Sequence, residues 1–171
     1  IERIDADYAV GGDGARSLVR ETLGIRHEGL AGEERDYLGG RMLAVYLRAP
    51  SLYSILQAKR SWQYWAVNAE RRGVLCAIDG RGLFVVHLQL PRGGTGSLEF
   101  ARESLALVAG AEFPHEIIAT EEWMAGFTLV AERFGAGRVF LAGDAAHLFT
   151  PTAGLGYNTS VDDVANLGWK L

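Results

Sequence analysis

Residues 143–158 bring a carboxylate, a proline, two glycines and an asparagine together in the spacing GDAAHxxxPxxGxGxN. The apolar run at residues 138–142 predicts a short strand buried on both faces, which ends at Gly143. Asp144 would then stand at the carboxyl end of that strand. A carboxylate in this position can accept hydrogen bonds from the hydroxyls of a sugar or a sugar alcohol. The alternative is that Asp144 only caps the following turn, as Asp often does after Gly.

The loop after Asp144 has the residue types of a site that receives a flat ligand. Glycines at 154 and 156 let the backbone approach a ring closely, because no Cβ intervenes. A helix is predicted after Asn158, and backbone amides at its N-terminus favour negative charge on a ligand. Pro151 would stiffen the loop and leave its carbonyl free to face the ligand. The candidate ligand-binding residues of this segment are Gly143, Asp144, Pro151, Gly154, Leu155, Gly156, Tyr157 and Asn158.

A second candidate site lies near the N-terminus. The pattern predicts a strand over residues 7–12, a turn at Asp13 and Gly14, and a helix over 15–23 that ends at Gly24. The predicted packing residues of this helix are Leu18, Val19 and Leu23. On or near the first turns of that helix lie Arg16, Ser17 and Arg20, where the guanidinium groups and the backbone would favour an anion. The alternative is a surface turn whose arginines are only solvated.

The middle of the chain predicts an antiparallel sheet, because runs rich in aromatic and β-branched residues alternate with short turns. Within this region a helix is predicted over residues 98–109, with Ser97 as its N-cap. Residues 79–82 are predicted to form a hairpin turn. Residues 27–40 are predicted to connect one domain to the next. The predicted strands cover residues 42–48, 61–68, 74–78, 82–90, 116–124 and 127–131.

Aromatic and polar side chains on this sheet suggest where a substrate could bind. In the strand at 82–90, His87 and Gln89 share one face, and Trp62 and Tyr64 alternate with Gln63 in the strand at 61–68. Such a surface would suit a flat phenolic or polycyclic molecule. The alternative is that the aromatic residues belong to the core and that His87 faces solvent.

The composition excludes several classes of protein. Apolar residues make up 49% of the chain and charged residues 22%, which is typical of a globular domain. The net charge of −4 without a basic run argues against a nucleic-acid partner. The chain has no apolar run of the ~20 residues that cross a membrane. One cysteine, Cys76, builds neither a disulfide nor a metal site, so we expect no metal and a cytoplasmic location.

The segment at 143–158 and the string VGGDGARSLVRETLGI at residues 10–25 resemble two motifs of the single-component FAD-dependent aromatic hydroxylases. The resemblance implies an α/β (α+β) fold, with parts of an FAD-binding domain at residues 1–26 and 131–171. Residues 27–130 would be an inserted substrate domain with an antiparallel sheet. It also implies FAD and NAD(P)H as cofactors, and dioxygen and a small phenolic or polyketide-like molecule as reactants.

The same resemblance implies that Asp13, Gly14 and Arg16 lie near the flavin pyrophosphate and help to admit the nicotinamide cofactor. His147 is expected to be a packing residue. Asp162 and Asp163 resemble the family's acid on the last helix, although a favourable charge in its first turn explains Asp163 equally well. Ala153 and Ser160 stand where glycine is common in the family.

One family feature is missing from the sequence. No GxGxxG follows a strand near the N-terminus, so we expect the unit that binds the ADP half of FAD to lie upstream of Ile1. Two alternatives to a hydroxylase therefore stay open: a non-catalytic fragment or binding module that cannot hold FAD alone, and a flavin oxidoreductase that acts on a non-aromatic substrate. No residue is identified as catalytic.

Overall fold

The computed structural model describes residues 3–30, 40–56, 58–151 and 154–171. The chain forms two compact units, one made of Ile1–Glu33 and Gly126–Leu171 and the other of Glu34–Ala125. The second unit is thus inserted into the sequence of the first. The predicted fold class, a mixed α/β unit interrupted by an antiparallel sheet, is confirmed.

The described residues contain eleven strands and four α-helices. In chain order they are β1 (Ala9–Gly11), α1 (Leu18–Thr22), β2 (His27–Leu30), β3 (Gly40–Arg48), α2 (Leu52–Ile55), β4 (Gln63–Val67), β5 (Arg72–Ala77), β6 (Leu83–Gln89), α3 (Leu98–Ala109), β7 (Glu116–Ala125), β8 (Thr128–Ala131), β9 (Gly135–Ala136), β10 (Val139–Leu141), β11 (His147–Leu148) and α4 (Leu155–Gly168). A single turn of 3-10 helix, Gly143–Ala145, lies between β10 and β11. No helix among these residues is long and apolar enough to cross a bilayer.

The first unit contains two small sheets. In one, β10 pairs in parallel with β1 and antiparallel with β9. In the other, β8 lies between β2 and β11 and is antiparallel to both. Five buried apolar residues of this unit form a small cluster: Ile25, Ala131, Leu141, Ala145 and Ala146. Because Ala145 belongs to this cluster, the 3-10 turn after β10 is anchored in the core.

The second unit is one antiparallel sheet of five strands in the order β4-β5-β6-β3-β7. Alternate residues of β3 and β6 point to one face, where the side chains of α3 cover them. This face and α3 supply the core cluster, whose fully buried large residues include Leu43, Leu47, Phe84, Leu88 and Leu105. The strict alternation of apolar residues in β6 explains why this strand could be predicted from the sequence.

Helix α3 has the predicted bounds because both of its ends are capped. The hydroxyl of Ser97 accepts a hydrogen bond from the backbone N–H of Phe100 at 3.1 Å. At the other end Gly110 has a left-handed conformation with φ 77°. Between the caps, Leu105 is fully buried, whereas Leu98 is 51% exposed.

The hairpin turn between β5 and β6 depends on Asp79. Its carboxylate accepts hydrogen bonds from the backbone N–H groups of Arg81, Gly82 and Leu83, at 2.8, 3.0 and 2.9 Å. These bonds favour the ionised carboxylate, the bond from Arg81 most strongly, and they lower the pKa of Asp79 to about 2. The predicted turn at residues 79–82 is confirmed.

Several predicted element bounds were wrong. Helix α1 begins at Leu18 rather than at residue 15, because Ser17 is its N-cap, and Leu18 is 71% exposed instead of packed. Helix α4 begins at Leu155, before Asn158, because Gly154 takes the left-handed φ of 63° that turns the chain into the helix. Strand β10 is only half-buried at its first two residues, not buried on both faces.

The unit boundary also differs from the predicted one. Residues 27–130 were assigned to the inserted domain, but β2 and β8 lie in the first unit, because the two strands pair with each other. The predicted connection at residues 27–40 includes strand β2 and the start of β3, and its residues 31–39 lie outside the described part of the chain.

Candidate functional site

Asp144 lies at the edge of a pocket of about 500 Å³ in the first unit. Its side chain is exposed, on the 3-10 turn that follows β10. The pocket is lined by Asp144, Leu148, Phe149, Thr150, Pro151, Gly154, Gly156, Tyr157 and Ser160. The structure thus brings the carboxylate together with the proline and glycines that the sequence singled out.

The N-terminus of α4 supplies hydrogen-bond donors to the same pocket. Helix α4 begins at Leu155, so the backbone N–H groups of Leu155, Gly156 and Tyr157 form its N-terminal end, where N–H groups point out of the helix. A Cβ placed on Gly154 or Gly156 would meet nothing within 4 Å, so the backbone is open at both positions. The helix end can therefore bind a negatively charged group.

Three of the predicted ligand residues, Pro151, Gly154 and Asn158, hydrogen-bond with one another. The side-chain amide of Asn158 donates to the carbonyl oxygen of Gly154 at 2.8 Å. The carbonyl of Pro151 accepts a hydrogen bond from the N–H of Gly154 at 3.2 Å, so it is not free as predicted. Both bonds shape the loop that leads into α4. Ala153 lies outside the described residues.

Asp163 connects α4 to the turn that carries Asp144. One oxygen of its carboxylate, Oδ2, accepts a hydrogen bond from the backbone N–H of Gly143 at 2.8 Å and lies 2.6 Å from Nε2 of His147. Asp163 stands eight residues after Leu155. The explanation of Asp163 as a first-turn charge was therefore wrong, because the helix begins earlier than predicted.

His147 is buried, with only 7% of its side chain exposed. The expectation of a packing residue is thus correct about its burial but missed its polar partner. Nothing in the local sequence pairs His147 with Asp163, because 16 residues separate them. The only indication of this pair in the sequence was the acid on the last helix, which resembles the acid of the family.

A second histidine contacts the same turn. The ring of His27 on β2 hydrogen-bonds with the backbone of Ala145. Burial lowers the pKa of His27, and the nearby Arg20 guanidinium lowers it further. Arg20 is itself buried and donates to the carbonyl oxygen of Ala15 at 3.0 Å. Neither His27 nor a structural role for Arg20 was predicted.

Asp13 holds helix α1 in place. Its carboxylate accepts hydrogen bonds from the Ser17 hydroxyl at 2.5 Å and from the Val19 N–H at 3.2 Å. The bond from Ser17 is the largest cause that keeps the pKa of Asp13 below its ordinary value. Gly14 has φ 84°, and the Arg16 side chain is exposed beside them.

The four predicted substrate residues do not share one surface. Tyr64 packs against the core cluster on the α3 side of the sheet, and its hydroxyl accepts a hydrogen bond from the Ser61 N–H. Trp62 precedes β4 and is 71% exposed. His87 and Gln89 point to the opposite face of the sheet from α3.

Trp123 on β7 extends the face that carries His87. Its ring meets the His87 ring edge-on, with 5.5 Å between the ring centroids. Nδ1 of His87 and Nε1 of Trp123 are buried without a hydrogen-bond partner among the described residues. Burial lowers the pKa of His87, so its ring is neutral at pH 7.

The described residues contain no cluster of His, Cys, Asp and Glu that could hold a metal ion. Burial raises the pKa of the Cys76 thiol, which makes it a poor nucleophile. The site with the best geometry for a ligand is therefore the pocket between Asp144 and the N-terminus of α4. The pocket offers a carboxylate that can accept from hydroxyl groups, two glycines with open backbone and the amides of a helix N-terminus. These groups suit the ribityl and ring end of a flavin.

A family model described as "FAD binding domain" matches residues 1–171. The chain therefore belongs to the FAD-binding domain family of the flavin-dependent hydroxylases, and the resemblance inferred from the two motifs is confirmed. FAD is the cofactor of this family.

The chain is similar to rifampicin monooxygenase from Streptomyces venezuelae, with 34% identity over 99% of this chain and 35% of the relative. It is 29% identical to pentachlorophenol 4-monooxygenase from Sphingobium chlorophenolicum, over 99% of this chain and 30% of the relative. The crystal structure of aklavinone-11 hydroxylase with FAD and aklavinone matches with a TM-score of 0.79 and 32% identity, over 95% of this chain and 30% of that one. The chain spans about a third of the length of the curated relatives it matches.

Proposed function

We propose that the protein to which these residues belong is an FAD-dependent monooxygenase that hydroxylates an aromatic, phenolic or polyketide-like substrate with NAD(P)H and dioxygen. One observation carries the proposal: the exposed Asp144 carboxylate and the open backbone at Gly154 and Gly156 line the same pocket. The names of the similar proteins support the choice of reaction, since they include a pentachlorophenol monooxygenase and an aklavinone hydroxylase.

The residues of the pocket would hold FAD by its ribityl chain and ring. Asp144 would accept hydrogen bonds from ribityl hydroxyls. The N–H groups of Gly156 and Tyr157 at the N-terminus of α4 would stabilise negative charge on the pyrimidine edge of the ring. Bound FAD would supply the redox chemistry that links the nicotinamide to dioxygen. The protein would supply orientation and a site that excludes water.

The turn at Asp13 and Gly14 would support an anion site through Arg16. The Asp13 carboxylate already accepts hydrogen bonds from Ser17 and Val19, so Asp13 would fix the start of α1 rather than bind the anion. The exposed Arg16 guanidinium would then be free to approach a phosphate of FAD or of the nicotinamide cofactor. Asp13, Gly14 and Arg16 would thus all belong to the proposed cofactor site.

The face of the sheet that carries His87 and Gln89 is the proposed substrate surface. Nδ1 of His87 and Nε1 of Trp123 support this assignment, because they have no partner among the described residues, whereas buried polar atoms usually have one. A phenolic oxygen or a quinone carbonyl could accept from the indole N–H, and a phenol could donate to a neutral imidazole nitrogen. Tyr64 lies on the other face, so its hydroxyl does not join this group.

The proposal also covers the location of the protein. We place it in the cytoplasm, because NAD(P)H is supplied there and because Cys76 is a free thiol.

The decisive experiment uses the full-length protein purified with FAD. The rate of NADPH and NADH oxidation is measured without and with a panel of simple and polycyclic phenols, and the products are identified by mass spectrometry. A hydroxylated product formed together with substrate-stimulated oxidation supports the proposal. A protein that binds no flavin would instead be a binding module, and oxidation of a non-aromatic substrate alone would make it another flavin oxidoreductase.

A further inference from the structure

Two groups meet at one carboxylate oxygen beside the turn of Asp144. Asp163 Oδ2 accepts from the Gly143 N–H at 2.8 Å and lies 2.6 Å from Nε2 of His147. An ionised carboxylate only accepts hydrogen bonds, so His147 must carry its proton on Nε2. Nδ1 of His147 is buried without a partner among the described residues. The imidazole is thus oriented by Asp163.

The hydrogen bond to Gly143 fixes the residue next to Asp144. Gly143 has φ 61°, a conformation that other residues rarely adopt, and it approaches α4 closely at Ser160. The Ser160 hydroxyl is turned away to the Gly156 carbonyl, at 2.8 Å. Asp163 therefore supplies the side-chain link between α4 and the Gly143 amide.

The two sides of the pocket are consequently tied together through this link. One side is Asp144, held through its neighbour Gly143. The other is the N-terminus of α4, on the helix that carries Asp163 two turns later. A change in the link would shift the carboxylate relative to the helix amides. Hydrogen-bond networks that orient ligand-binding groups contribute to affinity without touching the ligand.

We infer that Asp163 and His147 are a pair of positioning residues for the flavin site, which act on cofactor affinity through the Gly143 amide. This inference rests on the proposed function. His147 holds the Asp163 carboxylate in the rotamer that reaches Gly143, and Asp163 holds the turn. Because both act through one bond, their effects on FAD affinity are coupled.

The test is a double-mutant cycle in the full-length protein, with FAD affinity measured from the quenching of flavin fluorescence. Asp163→Ala and His147→Ala are each expected to weaken FAD binding by roughly tenfold to a hundredfold, the range for a lost hydrogen bond to a charged group. The double variant is expected to bind about as weakly as Asp163→Ala alone. The visible circular dichroism of the bound flavin should change in the same variants.

Conservative variants separate positioning from folding. His147→Gln keeps a donor near the Nε2 position and should bind FAD within about threefold of the wild type. Asp163→Asn keeps a neutral acceptor and should lose less affinity than Asp163→Ala, because a charged acceptor bonds about twice as strongly. Asp162→Ala removes an exposed acid from the same helix and should leave FAD affinity unchanged. Thermal unfolding of each apo-protein shows whether it is folded.

Two results would overturn the inference. One is a folded Asp163→Ala protein that binds FAD as tightly as the wild type. The other is a cycle in which the separate losses simply multiply, which would make the two residues independent. A wild-type protein that binds no FAD would overturn the proposed function and this inference with it, so the two failures are distinguishable.

Discussion

Gly143 and Ser160 approach each other so closely that a Cβ on Gly143 would lie 3.2 Å from the Ser160 hydroxyl oxygen. The turn after β10 thus packs against the first half of α4 at Gly143, which has no side chain. Gly143 also needs its positive φ of 61° to make the turn. The presence of glycine before Asp144 consequently has two physical reasons, the conformation of the backbone and the space beside the helix.

We predict that Gly143→Ala lowers the free energy of unfolding by about 1–2 kcal/mol, the cost of a left-handed conformation for a residue with a Cβ. Denaturant unfolding of the apo-protein measures this change. Gly156→Ala is the matched control, because Gly156 lies within α4 with open space around it and alanine favours the helix there. Equal stability of Gly143→Ala and wild type would contradict the prediction.

We predict that Asp144→Ala weakens FAD binding by roughly tenfold or more, because ribityl hydroxyls would lose a charged acceptor. The unfolding temperature of the apo-protein should stay almost constant, since the side chain is exposed. Titration with FAD and a thermal scan check both parts. If the variant kept wild-type affinity, Asp144 would be a turn residue rather than a ligand.

The two arginines of the N-terminal motif should behave in opposite ways. Arg16 is exposed, so Arg16→Ala should leave stability unchanged but weaken cofactor binding, with a smaller loss at high salt. Arg20 is buried and donates to the Ala15 carbonyl, so Arg20→Ala should destabilise the protein by about 1–3 kcal/mol. Denaturant unfolding and FAD titration at two salt concentrations distinguish the two roles.

The burial of His87 predicts a pH dependence of stability. Its pKa in the folded protein lies below the ordinary value of 6.5, so the unfolded chain binds the proton more readily. Stability is therefore full above about pH 6.5 and falls as the pH is lowered through 6.5 towards the pKa of the folded state. His87→Gln should reduce the loss of unfolding free energy between pH 7.5 and pH 5. An unchanged pH dependence would contradict this.

The core of the inserted unit gives a test of packing. Leu105 on α3 is fully buried in the cluster with the β3 and β6 side chains. Leu105→Ala should lower the free energy of unfolding by about 2–5 kcal/mol. Leu98→Ala on the same helix removes the same atoms from a side chain that is 51% exposed, and should cost far less. Similar losses from the two substitutions would argue against this core.

Much of the fold was predictable because its rules are local. Helix α3 has the predicted bounds since Ser97 and Gly110 cap it, and the turn at residues 79–82 follows from the way Asp79 binds successive backbone amides. The start of α4 was missed for the opposite reason. The sequence pattern around Gly154 and Gly156 is typical of a loop, and only the φ of Gly154 shows that the helix begins there.

The sequence by itself determined the family, because a strand end, an acid, a proline and paired glycines stand at the spacing of its flavin motif. It also determined that a sheet interrupts the first unit. Only the tertiary structure decided that Asp163 and His147 share the Gly143 turn, that Asp13 is committed to Ser17, and that Tyr64 and His87 lie on opposite faces. The physical reason is that hydrogen bonds and packing between residues distant in sequence depend on how the elements meet, which spacing along the chain does not encode.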